Sequence, residues 1–287
     1  HEGNALDNVC RSRYGIGEED HLVIVGNPPY NDVTSEINHG VKSSAAPLRI
    51  DAGLAARDLG MSFLLSYDRL RANHVAVLHP LSYLIKRSNF ATCKNFFHNY
   101  RVLEHIVFSS QEFAGTSRFS AFPVVMALYE RAPFRGLSYE AVRRFQFRTI
   151  EGATFSLNSF DYVTDYVDKY PGNGSFTPEI FFYTLRDINA LKRSRTFLPE
   201  RVANAVDVNP EKFEYYCYID CFKRYADVPY YMGNFNVPFM KSDFDEIRLD
   251  VVKDATFHHP EVFGNLAPPG PEAVSNIRRH IERSLSR

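Results

Sequence analysis

The residues best suited to chemistry form one tetrapeptide, Asn27-Pro28-Pro29-Tyr30. The Asn27 side-chain oxygen and the Pro28 carbonyl are two hydrogen-bond acceptors that could point at the two hydrogens of an exocyclic amine such as that of adenine. Consecutive prolines fix two φ angles and remove two N–H donors, so the acceptors would be held stiffly. Tyr30 offers a flat face on which an extruded base could stack, which is worth about 1–3 kcal/mol. The tetrapeptide therefore indicates a site for an aromatic amine.

A strand must position this loop. Residues 21–25 are a short, mainly β-branched run that stops at Gly26 and Asn27, before two prolines that cannot continue a ladder. This pattern predicts a buried strand that delivers Asn27 to the carboxyl edge of a sheet, where open α/β folds bind ligands.

The following residues alternate between strand and helix patterns, and the alternation is typical of an open α/β sheet with an antiparallel edge. After about residue 133 tyrosine and phenylalanine become dense and the alternation fades. We therefore predict a first domain at 1–135 and a second domain at 136–287. The predicted strands are 75–79, 102–108 and 123–129, and the predicted helices are 54–70, 87–100, 178–195 and 271–286.

Composition excludes several classes of protein. The chain has 287 residues, is 45% hydrophobic and carries a net charge of −1, so it should fold, and its overall charge does not demand a polyanionic partner. No apolar run approaches the roughly 18 residues of a membrane span, and no signal-peptide pattern is present. The four scattered cysteines are typical of a reducing cytoplasm. Cys217 and Cys221 lack a second pair, so two buried thiols on one face are favoured over zinc, and no metal is expected.

Residues 23–30, Val-Ile-Val-Gly-Asn-Pro-Pro-Tyr, resemble the catalytic motif of adenine-specific (N6) DNA methyltransferases, in which (Asp/Asn)-Pro-Pro-(Tyr/Phe) follows a hydrophobic strand. The order of the later elements is also similar, so that the resemblance covers residues 3–131. It implies the C-terminal part of a Rossmann-like methyltransferase sheet with an antiparallel edge, followed by an α+β target-recognition domain. It further implies S-adenosyl-L-methionine as the cofactor and double-stranded DNA as the partner, from which the target base is flipped out. The implied role is in a restriction-modification system of a prokaryote or a phage, and the implied location is the cytoplasm, in association with the nucleoid.

The resemblance assigns roles residue by residue. Residues 27–30 become the catalytic loop, with Asn27 also near the cofactor. Asn4 and Ala5 match a segment that touches the adenine ring of S-adenosylmethionine, although a turn or cap role explains Asn4 equally well. Phe113 matches a loop aromatic that packs against the flipped base, although a core phenylalanine would look the same.

One family feature is missing from the sequence. The glycine-rich segment that binds the methionine moiety, of the Phe-x-Gly-x-Gly type, would precede residue 1 in this order of motifs, and residues 262–270 are a poor substitute. We therefore expect an upstream segment or a second polypeptide to complete the cofactor site.

Two basic clusters are candidates for DNA binding. Arg143, Arg144 and Arg148 alternate with aromatic residues, a pattern that suits phosphates and exposed bases but also a solvated β-hairpin. Lys192, Arg193 and Arg195 could bind phosphates or complement a helix dipole.

Two other functions fit the same residues. The chain could be a DNA-recognition module that catalyses nothing, which the missing glycine-rich segment favours. It could also methylate a protein glutamine, because related enzymes use an Asn-Pro-Pro-Tyr loop for that reaction, although the long aromatic second domain argues against it.

Overall fold

The computed structural model describes residues 3–30, 49–113, 121–172 and 179–286. The chain divides into two compact units, His1–Leu157 and Asn158–Arg287. The fold is mixed α/β, with parallel and antiparallel strands in the main sheet.

The first unit is built on a four-stranded sheet of order β1-β2-β4-β3. Strand β1 pairs with β2 in parallel, and β4 pairs antiparallel with both β2 and β3. Strand β3 therefore runs in the same direction as β1 and β2. The strands are β1 (Val23–Gly26), β2 (His74–Pro80), β3 (Tyr100–Ser109) and β4 (Pro123–Arg131).

Short helices connect these strands, and a two-stranded ladder of β5 (Phe147–Arg148) and β6 (Thr154–Phe155) follows them. The helix predicted at 87–100 is interrupted at Cys93, and its last residue already belongs to β3. The helices are α1 (Leu59–Arg69), α2 (Ser82–Ile85), α3 (Arg87–Thr92), α4 (Lys94–Asn99) and α5 (Tyr139–Arg144).

The two faces of the sheet differ in burial. On one face Val75, Val77 and Tyr129 are fully buried, and the ring of Phe96 from α4 meets Tyr129 edge-on at 5.1 Å. On the other face Val23 and Val25 are 53% and 83% exposed. Ile24 and Gly26, which point to the opposite face, are only half-buried, so the prediction of a buried first strand was wrong. Among the described residues β1 lies at the edge of the sheet and has a neighbouring strand on one side only.

Residues 136–157 pack with the first unit. The Tyr139 hydroxyl donates to the Ile85 carbonyl at 2.9 Å, and the Ile150 N–H donates to the Val107 carbonyl at 2.8 Å. These contacts join α5 and the β5–β6 ladder to α2 and β3. The compact units thus divide after Leu157, twenty-two residues later than the domain boundary inferred from composition.

The second unit contains a small antiparallel sheet of order β10-β8-β9, a two-stranded β7–β11 ladder and a group of helices. Its strands are β7 (Asp161–Tyr162), β8 (Phe181–Tyr183), β9 (Phe197–Leu198), β10 (Ala205–Asp207) and β11 (Pro238–Phe239). Its helices are α6 (Ile188–Arg193), α7 (Phe213–Tyr225), α8 (Phe244–Phe257), α9 (Pro260–Phe263) and α10 (Pro271–Leu285).

Two sequence predictions for this unit have different outcomes. The C-terminal helix is confirmed as α10, whereas the helix predicted at 178–195 forms only at Ile188–Arg193, and Phe181–Tyr183 is a strand. Phe182 instead lies in β8, where its ring meets those of Phe197 and Tyr216 at 5.0 and 5.1 Å. The local pattern of residues 178–195 also suits a helix, but packing of Phe182 against Phe197 and Tyr216 favours a strand there.

Cys217 and Cys221 are both fully buried on α7 with free thiols, as the sequence favoured. Within the described ranges, the structure groups no three His, Cys, Asp or Glu side chains in a way that could bind a metal. The same ranges contain no helix with the length and apolar character needed to cross a membrane.

Candidate functional site

The loop of residues 27–30 begins where β1 ends, at the carboxyl edge of the sheet. Asn27 and Pro29 are exposed, Pro28 is buried, and Tyr30 is half-buried. The Tyr30 hydroxyl donates a hydrogen bond of 2.7 Å to Asn27 Oδ1. Partial burial raises the pKa of Tyr30 to about 12, so the hydroxyl stays protonated near neutral pH. The predicted acceptor and the predicted stacking ring are therefore in direct contact.

Gly26 lets helix α1 approach this loop closely. A Cβ atom at position 26 would lie 2.6 Å from the hydroxyl oxygen of Tyr67, a buried residue of α1. Burial raises the pKa of Tyr67 to about 12. Tyr67 could not be singled out from the sequence, because its helical spacing indicates only a core position.

A buried polar group lies at the carboxyl end of β2, the strand next to β1. Tyr83 donates to Asp58 Oδ1, which also accepts from the Gly60 N–H and so caps α1. The His79 ring stacks on Tyr83 at 5.4 Å, and His79 Nε2 lies 2.8 Å from the Tyr129 hydroxyl.

Burial lowers the pKa of His79 to about 4, so its ring is neutral at pH 7. His79 Nδ1 lies 2.9 Å from the Pro80 carbonyl, which can only accept a hydrogen bond. The ring proton is therefore on Nδ1, and Tyr129 donates to Nε2. None of these residues was predicted as part of a site, although Asp58 before an apolar helix pattern is a recognisable cap signal.

Phe113 lies at the same edge of the sheet as Asn27. Strand β3 runs in the direction of β1, so its carboxyl end, four residues before Phe113, faces the same way. Three strand spacings separate β1 from β3, or about 14 Å. Phe113 is half-buried and its ring lies 5.6 Å from that of Phe108, while residues 114–120 lie outside the described ranges.

The proposed cofactor residues are arranged differently. Asn4 Oδ1 accepts from the Leu6 N–H at 3.0 Å, and Asn4 Nδ2 donates to the Arg49 carbonyl. Both groups of its amide are thus engaged in holding a turn above the buried Leu6. Ala5 is exposed. These contacts are those of a turn residue, which is the other role that the sequence left open for Asn4.

The candidate DNA-binding residues fall in both compact units. In the first unit Arg143 and Arg144 are exposed at the end of α5, each 3.9 Å from Glu140, and Arg148 is exposed on β5. In the second unit Lys192, Arg193 and Arg195 are exposed at or just after the end of α6. Lys192 Nζ also donates to the Ala226 carbonyl at 3.1 Å, as expected of a cation that complements a helix end.

The second unit contains a buried charged cluster that was not predicted from the sequence. Arg224 on α7 pairs with Asp220 on the same helix and with Asp254 on α8, and both carboxylates are almost fully buried. His259 Nε2 lies 2.9 Å from Asp220 Oδ1. Burial opposes protonation of His259, but Asp220 and Glu261 outweigh it and raise its pKa. Because Arg224 and Asp220 lie on α7 and Asp254 lies on α8, the ion pairs of Arg224 join the two helices.

No protein-family model matches the chain, and no curated protein matches it at a significant level.

Proposed function

We propose that this chain is the catalytic-loop and target-recognition portion of an S-adenosylmethionine-dependent DNA methyltransferase that acts on the N6 amine of adenine. The observation that carries the proposal is the Asn27–Tyr30 contact at the carboxyl edge of a mixed sheet. It unites an amide acceptor and an aromatic ring at the edge where open α/β folds bind ligands.

The order and directions of the four strands also support the proposal. A parallel pair followed by an antiparallel strand is what a Rossmann-like methyltransferase sheet requires of its C-terminal part, including the antiparallel edge. Phe113 lies at the same edge, where a flipped base would be held between aromatic side chains.

The loop residues would act by positioning and polarising the amine. Asn27 Oδ1 accepts one amine hydrogen and the Pro28 carbonyl accepts the other, which draws electron density towards the nitrogen. The amine nitrogen would form the new N–C bond as the bond between the methyl group and the sulfonium sulfur breaks and leaves its electron pair on sulfur, and the extra proton on nitrogen would then pass to water. No general base with a shifted pKa is required, because the proton leaves after methyl transfer has made the nitrogen acidic.

S-adenosylmethionine would supply the electrophilic methyl group when bound. In the proposed arrangement a glycine-rich segment that is not in this sequence holds most of that cofactor, and Asn27 lies near its reacting end. The proposed substrate is double-stranded DNA, and a restriction-modification system is the proposed setting.

Substitution of Asn27 tests the proposal. In an assembly that includes the cofactor-binding portion, Asn27→Ala should lower methyl transfer to DNA by about 10²–10³-fold, because a preorganised acceptor is lost. DNA affinity should stay within about twofold. Asn158→Ala, at an exposed asparagine of the second unit, is the matched control and should keep full activity. Full activity of Asn27→Ala would overturn the assignment.

The exposed arginines favour a second candidate, a DNA-recognition module without catalysis. Arg143, Arg144 and Arg148 could bind phosphates whether or not the loop acts on a base. Such a module would bind DNA, but the assembled protein would transfer no methyl group and would release no heat with S-adenosylmethionine in a calorimeter.

A further inference from the structure

Two histidines face each other where the parallel strand pair begins. His21 comes shortly before β1, and His74 is the first residue of β2. His21 Nε2 lies 3.2 Å from His74 Nδ1, and the ring centroids are 5.3 Å apart. His21 is exposed and His74 is half-buried. The pair therefore lies at the amino edge of the sheet, at the opposite end of β1 from Asn27.

Backbone hydrogen bonds hold the two histidines beside each other. The Leu22 carbonyl accepts from the Asn73 N–H at 2.8 Å and from the His74 N–H at 3.3 Å. The Leu22 N–H donates to Asn73 Oδ1 at 2.8 Å. The residue after His21 is thus bonded both to His74 and to the residue before it. Side chains that the fold brings together in this way lose less entropy when they bind a common ligand.

Glu130 sets the tautomer of His74. It is the cross-strand partner of His74 on β4, and Glu130 Oε1 lies 3.9 Å from His74 Nε2. Arg101 holds this carboxylate from β3, because its Nε donates to Glu130 Oε2 at 2.6 Å. The negative charge favours a proton on Nε2 of the neutral ring, which leaves the lone pair on Nδ1, the nitrogen that faces His21. Metal-binding histidines commonly have a carboxylate beside their outer nitrogen in this way.

The spacing of the two facing nitrogens matches that of two ligands of one metal ion. Zinc–nitrogen bonds of about 2.0–2.1 Å at a tetrahedral angle place two imidazole nitrogens about 3.3 Å apart. The observed distance between His21 Nε2 and His74 Nδ1 is 3.2 Å. Without an ion, one of these nitrogens donates a hydrogen bond to the other. An ion would replace that single proton and engage the lone pairs of both rings.

The charge around the pair also favours a cation. Residues 18–20, Glu-Glu-Asp, directly precede His21, and Glu130 is a fourth carboxylate on the other side of the pair. Arg71 and Arg101 each pair with one of these carboxylates. Four carboxylates against two guanidinium groups leave an excess of negative charge, which attracts a divalent ion.

We propose that His21 Nε2 and His74 Nδ1 bind one divalent ion of a late first-row transition metal, such as Zn²⁺ or Ni²⁺. Imidazole is a preferred ligand of these ions. Within the described residues no third His, Cys, Asp or Glu completes a ligand set, so water or another added ligand takes the remaining positions. The ion would fasten the segment before β1 to β2. This proposal is independent of methyl transfer, because the pair lies at the other edge of the sheet from the catalytic loop.

Calorimetric titration of the full chain with zinc chloride tests the proposal, without DNA or S-adenosylmethionine. We expect the parent to bind one ion that His21→Gln and His74→Gln each bind more than about tenfold more weakly. Glu130→Gln should weaken binding by about tenfold through the orientation of His74. His98→Gln, at an exposed histidine of α4, is the matched control and should keep the parent's affinity. No saturable binding by the parent, or parent-like affinity in either His21→Gln or His74→Gln, would overturn the proposal.

Electron paramagnetic resonance with one equivalent of Cu²⁺ gives a readout on the unsubstituted chain. Cu²⁺ is the most tightly bound ion of the divalent series, and each coordinated imidazole nitrogen splits its signal. We expect the coupling pattern of two nitrogens in the parent and of one in His74→Gln. A pattern of one nitrogen or none in the parent would contradict the paired site.

The melting temperature gives a third readout. Saturating Zn²⁺ should raise that of the parent, because the folded chain brings the two rings together and the unfolded chain does not. The same addition should leave His74→Gln unchanged, and an equal rise in both proteins would contradict the proposal. Failure of these tests would leave the proposed methyl transfer standing, and absence of methyl transfer would leave the metal site standing.

Discussion

The Tyr30 hydroxyl donates its hydrogen bond to Asn27 Oδ1, the oxygen that the proposed function assigns to the target amine. The two partners lie 2.7 Å apart, so the oxygen is engaged before a base arrives. We expect a substrate amine to compete with the hydroxyl for this oxygen, while the Tyr30 ring turns to stack on the base.

Removal of this hydroxyl should favour substrate binding. Tyr30→Phe keeps the ring and frees Asn27 Oδ1 from a neutral hydrogen bond whose net worth is about 0.5–1.5 kcal/mol. We expect the KM for DNA to fall by about two- to tenfold in steady-state methylation assays. Tyr30→Ala should instead raise KM, because stacking worth about 1–3 kcal/mol is lost.

Tyr170→Phe is the control for the loss of a phenol, since Tyr170 is an exposed tyrosine of the second unit. It should leave KM unchanged. An increase in KM for Tyr30→Phe would show that the hydroxyl assists the bound state and does not compete with the amine.

A side chain at Gly26 should disturb the loop through one specific contact. Gly26→Ala places a Cβ 2.6 Å from the Tyr67 hydroxyl oxygen, which should lower the free energy of unfolding by about 1–3 kcal/mol in urea titrations. Tyr67→Phe removes that oxygen, so the double variant should recover most of the loss. Gly172→Ala, where a Cβ meets nothing within 4 Å, should change stability by less than about 0.5 kcal/mol. Equal losses in the Gly26→Ala single and double variants would disprove the contact.

The strand–loop signal at residues 21–30 could be predicted because it is local. β-Branched residues favour a strand, and Pro28 and Pro29 end it whatever surrounds them. The exposure of Val25 could not be predicted, because valine suits a strand with one covered face as well as a strand with two covered faces. The contact of Gly26 with Tyr67 joins residues forty-one positions apart, and no short-range pattern reveals such a pair.

The second unit illustrates the same distinction. The terminal α10 was predictable from its periodicity and its N-terminal Pro271. In contrast, Phe182 belongs to a strand because Phe197 and Tyr216 pack on it, and those partners lie too far along the chain for a local pattern to include.

The arginines of the first unit should carry measurable DNA affinity. Each phosphate contact contributes about 0.9 to the slope of log K against log salt concentration. Replacement of Arg143, Arg144 and Arg148 by alanine should therefore reduce that slope by about 2–3 in salt titrations of DNA binding. The triple alanine variant of Lys192, Arg193 and Arg195 tests the second unit separately, and Arg279→Ala is the control. An unchanged slope in both triple variants would remove these residues from the DNA interface.

His280 should make the second unit sensitive to acid. Its ring is fully buried against Tyr218, and within the described part of the chain neither ring nitrogen has a hydrogen-bond partner. Burial lowers its pKa to about 4. Protonation of His280 therefore opposes folding. The free energy of unfolding should be highest above pH 6.5, the pKa of histidine in the unfolded chain, and should fall as the pH drops towards 4.

His280→Phe removes both the unpaired nitrogens and the titration. In urea titrations at pH 7.5, we expect the free energy of unfolding of the variant to equal that of the parent or to exceed it by up to about 2 kcal/mol. The difference should be larger at pH 5. An advantage that does not change between the two pH values would contradict this account of His280.

Arg224 should be essential to the stability of the second unit. Arg224→Met leaves Asp220 and Asp254 buried without their cation. The free energy of unfolding measured in urea titrations should therefore fall by about 3–5 kcal/mol. His259 has a raised pKa, so its charge supports Asp220 at low pH and is lost as pH rises above 6.5. The loss should therefore be larger at pH 8 than at pH 6. Addition of Asp254→Asn to Arg224→Met should recover part of it, and no recovery would contradict the pairing.

The most direct test of the central claim is the chemical identity of the methylated product. The assembled protein is incubated with DNA and methyl-labelled S-adenosylmethionine, and the DNA is digested to nucleosides and analysed by mass spectrometry. We predict label in N6-methyldeoxyadenosine, and about 10²–10³-fold less of it with Asn27→Ala. Label in a methylated cytosine, in a protein glutamine, or in no product at all would contradict it.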